Sequence, residues 1–159
     1  MVQEQLKAVY LYNFLQFVTW PKDLAPTGQS SPKVIGLLGN TTINKHLEEL
    51  GANLAKRNQT TLQIKAYGDY VDGMDLSACH ILFISASERR NFEKIMASLK
   101  HAPVLTVGDT NAFLSAGGMI LLHEEQNRLR YQINQTATTA AGLHLSSQLL
   151  KTAIIVTDE

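Results

Sequence analysis

The sequence predicts a single α/β domain. A mostly parallel central sheet carries helices on both faces and ends in an antiparallel C-terminal hairpin, a flavodoxin- or Rossmann-like three-layer sandwich. Three observations predict it. Short apolar runs at residues 34–38 and 80–84 are what strands buried on both faces require. These runs alternate with amphipathic helical stretches, the order of parallel strands joined by crossover helices. Two late strand-like segments are separated only by residues 123–127, too short a link for a crossover, so they pair as a hairpin.

The elements follow in order. Residues 3–18 read as a helix, with Leu6, Val9, Leu11, Phe14, Leu15 and Val18 filling a buried stripe. Trp20 and Pro21 end it, because the residue before proline is pushed out of the α region. Residues 22–33 are rich in proline, serine and threonine and read as a surface loop. The strand at 34–38 leads into a helix capped by Thr41 or Thr42, carrying Ile43, Leu47 and Leu50 and stopping at Gly51. Residues 61–67 alternate as a strand, and 80–84 form a second buried run. A helix follows Ser85 to Ser87, with Phe92, Ile95, Met96 and Leu99 on one face. Residues 104–107 form the next strand, and a short helix is expected over 110–115. Residues 119–122 and 128–133 are the hairpin strands, and 135–152 read as one final helix. No repeat, low-complexity tract or linker divides the chain, so one domain spans 1–159.

Composition narrows the function classes. Lys and Arg total 14, as do Asp and Glu, so the formal net charge is zero. Nothing in that balance points to nucleic acid. The longest basic pairs, Lys56 with Arg57 and Arg89 with Arg90, are short and read as solvated. One cysteine, Cys79, cannot form an intrachain disulfide or a zinc site alone. It precedes a buried strand and reads as an inert thiol. The five histidines show no metal-ligand spacing, Ser85 and Ser87 lie outside a nucleophile elbow, and no cofactor is expected.

Two candidate sites remain. The first is the rim beyond the carboxyl ends of the strands, where ligands of such sheets sit. It carries Gly39, Asn40, Thr41 and Thr42, then Ser85, Ala86 and Ser87, then Gly108, Asp109 and Thr110. Backbone N–H groups there can hold an anion, and the same side chains can serve as helix caps. Leu38 stands where a flavodoxin phosphate loop has a hydroxyl residue. The second site is the first helix. Tyr10, Tyr12, Phe17 and Trp20 exceed what one buried face can hide, and apolar surplus marks an interaction surface. Docking or self-association, as a homodimer, is expected there, with the small-residue final helix contributing.

Several segments together resemble the YfiR-like family of bacterial periplasmic regulators. They are residues 7–14 with Thr19, Trp20 and Pro21; residues 79–85; residues 104–109; Phe113 with residues 117–120; Ile133 and Asn134; and residues 146–150. The resemblance covers nearly the whole chain. It implies export to the periplasm, with a cleavable signal peptide upstream of residue 3. It implies a non-catalytic repressor that binds the periplasmic part of an inner-membrane diguanylate cyclase or sensor. It also implies sequestration by an OmpA-like outer-membrane lipoprotein, with lowered repression raising cyclic di-GMP and favouring biofilm. Arg57 sits where the family often shows an arginine, and is expected to contact a ligand or partner. The founding type looks rich in cysteine, whereas only Cys79 stands here, which rules out disulfide control within the chain.

Overall fold

A computed structural model describes residues 2–20, 33–39, 43–56, 62–99, 102–125, 128–151 and 154–156. Most of the expected 22–33 loop, Asn40, the capping Thr41 and Thr42, and Arg57 lie outside them. The elements are α1 (Val2–Phe17), β1 (Val18–Thr19), β2 (Lys33–Leu38), α2 (Ile43–Lys56), β3 (Leu62–Gly68) and β4 (Ile81–Ile84). A 3-10 segment (Ala86–Asn91) then leads through α3 (Phe92–Ser98) to β5 (Leu105–Gly108), β6 (Ile120–Glu125) and β7 (Arg128–Asn134). The chain continues with α4 (Gln135–Ala140), β8 (His144–Leu145), α5 (Ser147–Lys151) and β9 (Ile154–Val156).

Seven strands form the main sheet in the order β3-β2-β4-β5-β6-β7-β9. The first five run parallel to one another. β7 turns back antiparallel to β6, and β9 runs parallel to β7. β3 lies on one side of β2 and β4 on the other, so the winding reverses between β2 and β4. This is the doubly wound order 2-1-3-4-5 followed by a hairpin.

Each central strand presents alternate residues to two cores. Ile35, Leu37, Ile81, Phe83, Leu105, Val107, Ile120 and Leu122 face the first, under α1, α2 and the C-terminal helices. Leu38, Leu82, Ile84 and Leu121 face the second, under α3, the 69–80 segment and the turn holding Phe113. Burial on both sides is why the buried stretches of these strands are almost wholly apolar, Thr106 excepted, rather than alternating. Full burial of one such side chain contributes about 1.5–3 kcal/mol, so the sheet is the main source of stability.

The structure revises several expectations. The final helix is not continuous. α4 ends before Gly142, which adopts φ +80°, a left-handed value that costs glycine least and stops a helix. The chain then forms β8, which pairs antiparallel with β1 through Val18–Leu145 and Thr19–His144, and α5 follows. Residues 110–115 form turns rather than a helix. α2 runs through Gly51 to Lys56. In α1 the buried face is Ala8, Leu11, Phe14 and Leu15. Val9 is 39% exposed and lies off that face.

Candidate functional site

At the winding reversal the carboxyl ends of β2 and β4 bring Gly39 against Ser85 and Glu88. A Cβ on Gly39 would stand 2.7 Å from Ser87 Oγ and 2.8 Å from Glu88 Cγ. Gly39 has φ +90° and donates its N–H to the Gly68 carbonyl at 2.7 Å. Glu88 is buried. Its oxygens accept from the Tyr70 amide at 3.0 Å and the Asn91 amide group at 2.9 Å. The chain thus fills its own crevice with a side chain, and a bound anion would compete with Glu88 for the same donors.

The two predicted rim residues that are described, Ser85 and Asp109, are both engaged within the chain. Ser85 is buried and its hydroxyl accepts from the Ser87 amide at 3.2 Å, a cap on the 3-10 segment. Asp109, at the end of β5, takes the Lys7 ammonium at 2.7 Å. Asn40 and Arg57 lie outside the described residues.

The first helix builds something different. A cleft of about 640 Å³ opens between α1, β7 and α5. Tyr10, Phe14 and Phe17 form one wall, Leu129, Arg130 and Tyr131 the second, and Gln148 and Leu149 close the end. Helical spacing explains the first wall, since residues three and four apart share a face. The rings lock edge to face: Tyr10 to Phe14 at 6.4 Å, Tyr10 to Tyr131 at 5.8 Å and Phe14 to Tyr131 at 5.4 Å between centroids. Such pairs contribute about 0.5–1.5 kcal/mol beyond their area. The Tyr10 hydroxyl donates to the Leu129 carbonyl at 2.9 Å and that of Tyr131 to the Leu149 carbonyl at 3.0 Å. Helix, strand and terminal helix are therefore cross-tied around a preformed hollow, with Asn13, Arg130 and Gln148 supplying its polar groups.

Of the four predicted interface aromatics, Tyr10 and Phe17 line this cleft and are half-buried. Tyr12 is half-buried on the neighbouring flank, where its hydroxyl accepts from Gln16 at 2.9 Å. Trp20 is a core residue and not surface. It is 2% exposed, donates its indole N–H to the His80 carbonyl at 3.0 Å, and meets the His80 ring edge to face. The surplus of aromatics was over-counted by that one ring. The β7 wall was missed, although Tyr131, an aromatic inside a strand, was a signal for it.

Cys79 is buried, and its thiol donates to the Leu76 carbonyl at 3.3 Å. Burial pushes that thiol up to about 11, and burial with the neighbouring Cys79 pushes Tyr67 up to about 12. Such a thiol is a poor nucleophile. No group of three or more potential metal ligands occurs among the described residues. No described helix is long and apolar enough to cross a membrane.

Fold and cleft define a doubly wound α/β fold whose hairpin extension and first helix enclose a partly apolar hollow. The family model described as YfiR/HmsC-like matches residues 4–154, and the chain belongs to that family. Two solved structures are similar in fold. One is a conserved domain protein from Vibrio cholerae O1 biovar eltor, at 14% identity and TM-score 0.53, covering 86% of this chain and 57% of that one. The other is an ABC domain in complex with L-Trp from Streptococcus pneumonia, at 15% identity and TM-score 0.54, covering 85% and 57%. The chain thus spans less than two thirds of either protein.

Proposed function

We propose that this chain is a non-catalytic periplasmic regulator that restrains a membrane-bound diguanylate cyclase, or a membrane sensor, by binding its periplasmic part. Membership of the YfiR/HmsC-like family over residues 4–154 carries the reading. The cleft supports it by offering an apolar hollow with polar groups at its edge, the make-up of a protein-binding surface. Its described lining is mostly aromatic and aliphatic, with Asn13, Arg130 and Gln148 as polar groups, the kind of surface that aromatic and arginine anchors give an interface. An OmpA-like outer-membrane lipoprotein would relieve the restraint by competing for the regulator, which would then raise cyclic di-GMP and favour biofilm. The test is titration of the purified chain into the periplasmic part of the cyclase or sensor encoded beside it. Saturable binding that lowers cyclase output is expected, and its absence overturns the reading.

A second reading rests on the cleft's volume, which lies within the range of small-molecule pockets. The ABC domain of similar fold was solved with L-Trp, and an aromatic amino acid would stack on the half-buried Tyr10 and Phe17 rings. Calorimetric titration with L-Trp separates the two readings. Heat that is lost in Phe17→Leu, a half-buried cleft residue, would favour a small-molecule site, and no heat would leave the partner reading alone.

A further inference from the structure

We propose that Arg89 and Arg90 form a second binding site, remote from the cleft, for a phosphate group that carries a neighbouring diol, as in glycerol phosphate. A recess of about 290 Å³ opens between the 3-10 segment, the start of α3 and the turn after β5. Arg89 and Arg90 line one side, Phe92, Ala112 and Ala116 form apolar floor, and Glu93 and Ser115 complete it. Both arginines are exposed. Among the described residues neither guanidinium makes an ion pair or a hydrogen bond. The buried carboxylate next to them in sequence, Glu88, is already engaged by Tyr70 and Asn91.

Two adjacent, solvated guanidinium groups are free to turn toward a ligand, and the guanidinium fork matches phosphate oxygens in pairs. The recess is built by the segments that follow β4 and β5, beside the winding reversal between β2 and β4 and not at it. Phe92 is fixed edge to face on Phe113 at 5.4 Å between centroids, so the floor is rigid. Glu93 decides the ligand class. A ligand that is anionic throughout would be repelled by it, whereas hydroxyl groups can donate to it. The Ser115 hydroxyl donates to the Ala112 carbonyl at 3.0 Å, which leaves its oxygen to accept from a ligand. Two donors of positive charge beside two acceptors describe a phosphate with hydroxyls attached. An acidic protein segment fits less well, because the recess is compact and Glu93 sits inside it.

The same headgroup occurs free and on phosphatidylglycerol, and the experiment separates the sources. Amide NMR shifts of the whole chain are followed while sn-glycerol 1-phosphate is added. Co-sedimentation is measured with phosphatidylcholine vesicles with and without phosphatidylglycerol. The comparison is Arg89→Ala/Arg90→Ala, whose side chains are exposed, with circular dichroism to verify the fold. Arg89→Lys/Arg90→Lys is the second variant should the first misfold. Saturating shifts confined to residues 88–93 and 110–117 are expected, weakened at least tenfold in the alanine pair and at least threefold in the lysine pair. Binding of the free probe assigns a soluble ligand, and binding of phosphatidylglycerol vesicles alone assigns a lipid surface. No binding of either probe, or equal binding by the variants, overturns the proposal. Partner binding at the cleft should be the same in wild type and both variants, so the two sites fail or succeed separately.

Discussion

Lys7 Nζ lies 2.7 Å from Asp109 Oδ2 and ties α1 to the carboxyl end of β5 across the first core. The two side chains are 13% and 24% exposed, so water screens the pair less than it screens a surface bridge. Exposed pairs contribute about 0.2–1 kcal/mol, and this one should reach the upper end of that range. Lys7→Ala and Asp109→Ala should each lower stability in urea unfolding. A double-mutant cycle should return a coupling of about 1 kcal/mol that shrinks with added salt. A coupling near zero would mean that the bridge adds nothing to the packing and the Tyr10–Leu129 hydrogen bond that hold α1.

Alkaline pH should unfold the protein through Cys79. Its folded-state value is raised from 9.0 to about 11, chiefly by burial. Between those values the folded chain holds a proton that the unfolded chain releases, so stability is fully present below pH 9 and falls as pH rises through 11. Two pH units correspond to roughly 2–3 kcal/mol. Tyr67, raised to about 12, adds loss in the same direction from pH 10 upward. Urea midpoints from pH 8 to 11 should therefore fall less steeply in Cys79→Ala than in wild type. Parallel curves would show that Cys79 is not the titrating group.

Phe113 is gripped between two glycines, and either alanine should loosen it. A Cβ at Gly108 would stand 2.7 Å from Phe113 Cγ, and one at Gly118 would strike the same ring. The ring cannot retreat, because it packs edge to face on Phe92. Gly108→Ala should cost about 1–3 kcal/mol by overpacking, and Gly108→Ala with Phe113→Leu should recover part of it. Thermal unfolding reads both, and an unperturbed Gly108→Ala would show that the turn can shift.

The buried strands were legible because a strand covered on both faces must be apolar at every position, as residues 81–84 are. The hairpin was legible from the length of its link. The split of the last helix was less so. β8 is two residues long and exists only because Val18 and Thr19 lie beside it, a contact between chain ends that no local pattern encodes. Gly142 marked the break inside the small-residue stretch that reads as one helix. The β-branched run at 154–156, beyond the last expected element, was an unused signal for β9. For the site, one wall was legible in the aromatic count of α1. The opposing wall depends on where β7 lands, which the order of strands decides. The ordered segments that carry the family resemblance have a physical basis in these contacts: Lys7 meets Asp109, Trp20 meets His80, Phe113 packs on Gly108 and Gly118, and Asn134 caps α4 by accepting from the Ala137 amide at 3.1 Å.

Partner binding should divide the four aromatics of the first helix region. Trp20 is core, so Trp20→Ala should cost about 3–5 kcal/mol of stability and say nothing about docking. Tyr10 both lines the cleft and ties it to Leu129, so Tyr10→Phe should lose about 1 kcal/mol of stability while keeping the ring a partner would meet. Phe17 and Tyr12 are the informative pair. Phe17 lines the cleft, whereas Tyr12 lies on its flank and bonds Gln16. Aromatic residues central to an interface often contribute 2 kcal/mol or more. Phe17→Ala should therefore weaken association, with a second copy or with the cyclase, by at least about 2 kcal/mol, or roughly thirtyfold. Tyr12→Ala should weaken it less, and sedimentation reads both beside melting temperatures. If Tyr12→Ala abolishes association and Phe17→Ala does not, the docking surface lies on the α1 flank and the cleft serves some other ligand.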